Sequence, residues 1–143
     1  MITAVLDASV AVKWLLPADK EPLHDEAMDL LRRFERVDIG FIVPEFFWLE
    51  ISNVLWKRTR GPAVTKSTAQ SLYRDLQTKG LKTVHSTRLV PSAFEIAVTY
   101  GRSVCDSLYV ALAKDKDTFL ITADEKLANA LAAYLPVKWL GAV

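Results

Sequence analysis

The chain has 143 residues, of which 51% are hydrophobic and 24% charged, and its formal net charge is +1. This length suits one domain, spanning 1–143, which at that size buries roughly 68–70% of the surface its unfolded chain exposes, and the composition excludes disorder. A near-neutral molecule exerts no strong field on phosphate, so nucleic-acid binding would have to come from a local patch or from bound cations.

Residues 2–6 are wholly apolar and predict a short strand, with Asp7-Ala8-Ser9 directly after it. An acid just past a buried strand faces the crevice in which open α/β sheets bind ligands. Asp7 or Ser9 equally suits the cap of a helix beginning near Val10. The apolar run from Ile2 to Leu16 is interrupted by Asp7 and Lys13 and has no basic segment before it, so it does not read as a signal peptide. No other stretch reaches transmembrane length. With Cys105 as the single cysteine and only His24 and His85, there is no disulfide framework and no zinc-ligand spacing, and a cytoplasmic protein is expected.

Residues 22–36 place Leu23, Ala27, Leu30, Leu31 and Phe34 at helical spacing, acids early and arginines late, with His24 expected at the surface. Residues 39–43 predict a second strand. Pro44 is expected in the first turn of a helix that runs on to Gly61-Pro62. In that helix Glu50 shares a face with Phe46, Phe47, Asn53 and Val54. A buried carboxylate is costly unless it is paired or ligates a metal; a boundary glutamate reaching water is the plainer reading. Lys57, Arg58 and Arg60 match the dipole at the helix end and are also candidate phosphate contacts.

Thr65 is expected to cap a helix to Lys79 with Ala69, Leu72, Tyr73 and Leu76 inward, and residues 81–85 to form a third strand. Pro91 opens a helix ending near Tyr100-Gly101, with Ala93, Ile96, Ala97 and Tyr100 at core spacing. Ser103 caps the next helix and puts Asp106 at its third position, where an acid contributes about 0.3–1 kcal/mol. The core face of that helix reads Cys105, Leu108, Tyr109 and Leu112, which places Cys105 in the core rather than as a reactive thiolate. Residues 119–122 predict a fourth strand with Asp124 just past it, then come a helix over 125–134 and a last strand over 137–140.

Strands alternating with helices predict an α/β fold with a parallel sheet joined by right-handed crossovers. Three of the four acids Asp7, Glu50, Asp106 and Asp124 then fall at strand ends or helix starts. If they converge, their charges raise one another's pKa until a cation or protons relieve them. Oxygen-only ligands select a hard divalent ion, and Mg²⁺ can activate water and clamp the oxygens of an in-line displacement at phosphorus.

LDASV, PEFFWLEISNVLWK, CDSLYVALA and LITADEKL, in this order, resemble the PIN-domain nucleases, in particular the VapC-type toxins of prokaryotic toxin–antitoxin pairs. The likeness spans nearly the whole chain. It implies a three-layer α/β/α domain with a parallel five-stranded sheet and an endoribonuclease dependent on Mg²⁺ or Mn²⁺. Asp7 matches the family's first acid, Glu50 the acid of E-x-x-N-V-L, Asp106 that of D-A-x-Y-V-A-L-A, and Asp124 the late acid. Ser9 matches a hydroxyl position beside the metal. Cys105 stands where an aromatic is common, and Ser107 where alanine is. Asp7 and Asp106 are then expected to be the principal metal ligands, with Glu50 and Asp124 completing the pocket directly or through waters, and the basic residues Lys57, Arg58 and Arg60 are candidate RNA-backbone contacts. It also implies a homodimer and a small VapB-like antitoxin. Two rivals are a PIN-type RNA-processing nuclease with no antitoxin, and a non-catalytic module whose acids are only caps.

Overall fold

The structure is a computed structural model and describes residues 1–16 and 22–143. Five parallel strands form one sheet: β1 (Ile2–Leu6), β2 (Ile39–Pro44), β3 (Lys82–Val84), β4 (Leu120–Thr122) and β5 (Val137–Trp139). Their order across the sheet is β3-β2-β1-β4-β5. The chain steps outward from β1 to β3, returns across β1 to β4, and steps outward again to β5. The reversal falls between β1 and β4. At such a switch point the connections leave in opposite directions and open a crevice at the carboxyl ends of the strands.

Helices α1 (Ala8–Leu15) and α2 (His24–Glu35) connect β1 to β2, and α3 (Phe46–Thr59) and α4 (Lys66–Gln77) connect β2 to β3. Helices α5 (Val90–Tyr100) and α6 (Val104–Asp115) return to β4, and α7 (Glu125–Leu131) leads to β5. Right-handed crossovers place the first four helices on one face and the last three on the other, which makes the three-layer α/β/α sandwich. Among the described residues no helix is long and apolar enough to cross a membrane.

The core explains which runs became which elements. Ala4, Val5 and Leu6 of β1, and Leu120, Ile121 and Thr122 of β4, have no exposed surface, as expected of central parallel strands covered on both sides. On the α1–α2 side, Trp14, Phe34 and Phe41 pack with ring centroids 5.2–6.0 Å apart, and the Trp14 indole donates to the Ala27 carbonyl at 2.8 Å. On the opposite side α6 is buried at every position from 107 to 113.

Two expectations are corrected here. Pro44 is the last residue of β2, paired in register with Val84, and α3 begins only at Phe46. A proline suits a strand end, since it removes a donor where the ladder is stopping. Cys105 is exposed, not in the core. It lies in the first turn of α6, before the buried stretch begins, so a residue on the helical apolar spacing still meets solvent there.

Ser107 sits inside that buried stretch, and its hydroxyl has no hydrogen-bond partner. An unpaired buried hydroxyl costs about 1–3 kcal/mol, and alanine is also the better helix former. Ser107→Ala is therefore expected to stabilise the protein by about 1–2 kcal/mol, a rise in Tm of roughly 3–8 °C in a thermal melt. An unchanged or lower Tm would show that the hydroxyl has a partner in solution.

Candidate functional site

Asp7 is the first residue past β1 and N-caps α1, with Ser9 N–H donating to its Oδ1 at 3.3 Å. Its other oxygen, Oδ2, accepts a hydrogen bond from the Thr122 hydroxyl at 2.7 Å. Asp7 keeps only 7% of its surface exposed. Burial pushes its carboxyl above the ordinary range; the hydrogen bonds from Thr122 and Ser9 oppose the rise, and the Asp106 charge adds to it. The capping role and the crevice position therefore fall on one side chain.

Glu50 comes from α3. The core stripe of that helix is Phe47, Ile51 and Leu55, and Glu50 lies half-buried at its margin, not fully on the core face. Its Oε1 accepts from the Tyr109 hydroxyl at 2.6 Å. Burial again raises its pKa first, opposed by the Tyr109 bond, and the charges of Asp7 and Asp106 raise it further. Tyr109, from α6, also accepts from the Ala8 N–H at 3.4 Å, so one buried phenol joins α1, α3 and α6. Its own pKa is driven far up by burial and by the charges of Asp7 and Glu50, which keeps it a proton donor.

Asp106 stands at the third position of α6, where its N–H donates to the Ser103 hydroxyl at 3.0 Å. The structure thus brings Asp7, Glu50 and Asp106 within electrostatic reach of one another. Asp124 follows β4 on the same carboxyl edge, but it is exposed and its Oδ1 caps α7 by accepting from Leu127 N–H at 3.2 Å. Ser9 turns its hydroxyl across the switch point, where it accepts from Ala123 N–H at 3.1 Å.

These donors fit a hard divalent cation by their chemistry, being carboxylate oxygens, and the charged forms of Asp7 and Glu50 are penalised by burial and by neighbouring acids. Among the described residues no group of three or more His, Cys, Asp or Glu side chains is gathered closely enough to hold a metal ion.

The PIN-domain family profile matches residues 4–131, a span that runs from β1 through α7 and includes all four acids. The chain belongs to the PIN-domain family. Ribonuclease VapC3 of Pyrobaculum aerophilum is similar to it, 27% identical over 131 residues that cover 90% of this chain and 95% of that protein. Among solved structures, PAE2754 of Pyrobaculum aerophilum superposes with a TM-score of 0.71 at 16% identity, covering 98% of this chain and 90% of the other. VapBC2 from Rickettsia felis, bound to a DNA fragment from its promoter, gives 0.67 at 16% identity, covering 97% and 98%. At those identities the structural likeness is one of fold.

Within this PIN domain, two residues at the site were not singled out from the sequence for chemistry. Tyr109 reads there as a core aromatic and Thr122 as the end of a strand. A buried tyrosine generally finds a partner for its hydroxyl, which is the one signal the sequence offered for Tyr109. Lys57, Arg58 and Arg60 are all exposed near the end of α3, but they point in different directions. Lys57 lies seven residues beyond Glu50, nearly two full turns, so it shares the Glu50 side of the helix about 10.5 Å along the axis. Arg60 instead lies over the Trp56 ring, 5.4 Å from its centroid. A groove of about 620 Å³ between α3 and α4 is lined by Leu55, Trp56, Tyr73 and Arg74 among others, and by none of the acids.

Proposed function

We propose that this single-domain protein is a metal-dependent endoribonuclease of the VapC type, the toxin of a toxin–antitoxin pair. The observation that carries the reading is the electrostatic burden on Asp7 and Glu50, to which the neighbouring Asp106 charge adds, at the switch point of a PIN-domain sheet. The similarity to Ribonuclease VapC3 along 90% of the chain supports RNA as the substrate. A small VapB-like antitoxin, a homodimer and a cytoplasmic location come with that reading.

Asp7 and Asp106 would hold the cation, Mg²⁺ or Mn²⁺, with Glu50 and Asp124 completing the acidic pocket directly or through water. When bound, such an ion lowers the pKa of water and polarises the phosphate. The protein's own part is positional. Thr122 and Ser9 N–H fix both oxygens of Asp7, and the Tyr109 hydroxyl fixes Glu50. Lys57, on the Glu50 side of α3, meets the RNA backbone beyond the scissile phosphate and places the strand without reading its bases.

Two measurements test this. Purified protein free of antitoxin is expected to cut members of a panel of tRNAs and rRNA fragments with Mg²⁺ and to leave them intact in EDTA. Silence on every RNA from folded protein contradicts the nuclease and favours the non-catalytic module. For the RNA path, Lys57→Ala is expected to weaken RNA binding and to lower the slope of log K against log salt by about 0.7, the single-strand value for one phosphate contact. Arg60→Ala should leave that slope unchanged; equal slopes in wild type and Lys57→Ala would remove Lys57 from the path.

A further inference from the structure

The two turns that flank the switch point are tied together by two hydroxyls running in opposite directions. Ser9, at the start of α1, accepts from Ala123 N–H at 3.1 Å, past the end of β4. Thr122, the last residue of β4, reaches back and donates to Asp7 Oδ2 at 2.7 Å, past the end of β1. Thr122 is fully buried, and its oxygen also accepts from Asp124 N–H at 3.0 Å. A hydroxyl has one proton, and the bond accepted from Asp124 N–H leaves that proton for Asp7.

We infer that Thr122 is the positioning residue for the acidic site: its hydroxyl fixes the rotation of the Asp7 carboxylate and sets the distance between the first acid and the turn bearing the last. The inference rests on the metal-dependent nuclease reading above. With Oδ2 taken by Thr122 on one side and Oδ1 by Ser9 N–H, only the remaining lone pairs of Asp7 are available to a ligand. Their direction is therefore set by Thr122 and the Asp7 cap together. The same hydroxyl holds the Asp124 backbone, so losing it loosens both ends of the site at once. A purely structural threonine in a central strand would be replaceable by valine, which has the same shape and better β propensity.

The test compares wild type, Thr122→Val and Thr122→Ser in the full chain, reading the Mn²⁺ midpoint, the concentration that half-saturates the protein in calorimetric titration, and the kcat and KM of RNA cleavage. Groups that orient a ligand from behind typically contribute about 10–100-fold to metal affinity or activity. Thr122→Val is expected to raise the Mn²⁺ midpoint and lower kcat by roughly that factor, with KM for RNA within about threefold of wild type. Thr122→Ser keeps the hydroxyl and should return both within about threefold. A valine variant with the wild-type midpoint and kcat overturns the inference while leaving the nuclease reading intact. A wild type with no Mn²⁺ response and no cleavage overturns both. Should the valine variant fail to fold, the serine variant decides: a midpoint more than about tenfold above wild type overturns the inference, since the hydroxyl it requires is present.

Discussion

Asp7→Asn is expected to abolish metal-dependent cleavage and, in the absence of metal, to make the protein more stable at pH 7. The first effect follows from the role proposed for it as a direct ligand. If groups behind a ligand contribute about 10–100-fold, losing the ligand itself should lower kcat by more than about 100-fold. The second effect follows from linkage. Burial raises the folded-state pKa of Asp7 above its ordinary value of 3.8, so the folded protein holds a proton that the unfolded chain releases. The contribution of that group to stability is fully present below about pH 3.8 and is lost as pH rises through the raised folded value. Asparagine is neutral throughout and escapes that loss. Its carbonyl can still accept from Ser9 N–H while its amide faces the Thr122 oxygen. Melting curves without metal should therefore separate the variant from wild type at neutral pH and bring them together as the pH falls. Added Mg²⁺ or Mn²⁺ should raise the Tm of wild type, because a ligand bound only to the folded state stabilises it, and should do little for the variant. A metal-free variant less stable than wild type at pH 7 would contradict this account of Asp7.

Tyr109→Phe is expected to have the second largest effect, mainly on stability. The change deletes the donor to Glu50 Oε1 and the acceptor for Ala8 N–H, and leaves the ring packing, including the edge contact with Phe46 at 4.9 Å, in place. A hydrogen bond to a charged group contributes about 1.5–3 kcal/mol, so a loss of about 2–3 kcal/mol and a fall in Tm of roughly 6–12 °C are expected at neutral pH. The sign of its pH dependence is also fixed. Glu50 has a raised folded-state pKa, and the Tyr109 bond is what restrains the rise. Without the phenol, the cost of an ionised Glu50 grows, so the variant should lose more stability than wild type as pH rises through the Glu50 titration. Below it, where Glu50 is protonated in both proteins, the gap should narrow. A gap constant with pH would mean that the hydroxyl acts only through the Ala8 N–H.

The order of the elements was legible because each signal is local. The apolar run of β1, the Thr65 and Ser103 caps and the late apolar run of β4 are each set by residues a few positions apart, and the structure has them close to where they are expected. Parallel pairing follows once strands alternate with helices. The errors are local conflicts that long-range packing decided. Pro44 has the chemistry of a helix start but was taken by β2, and Cys105 has the spacing of a core residue on a turn that nothing covers. Three of the four acids could be picked out by their positions at strand and helix ends, and Glu50 by its place within a helix beside core residues. The groups that orient them could not, because Tyr109 meets Glu50 across 59 positions and Thr122 meets Asp7 across 115, and no local pattern records such a contact. Ser9 illustrates the difference: its place beside Asp7 is plain in the sequence, while its partner, Ala123 N–H, is visible only once β1 and β4 are neighbours.

The central claim is the proposal that Asp7 and Asp106 hold a divalent cation with Glu50 beside them, and calorimetric titration of Mn²⁺ into wild type and Asp106→Asn at neutral pH tests it most directly. Asp106 is the choice because it is only partly buried and its helix cap from Ser103 uses backbone, not the carboxylate, so the variant should fold normally. The account predicts saturable binding to wild type that is weakened by more than about tenfold in the variant. Equal binding by the two proteins, or none by wild type, would contradict it.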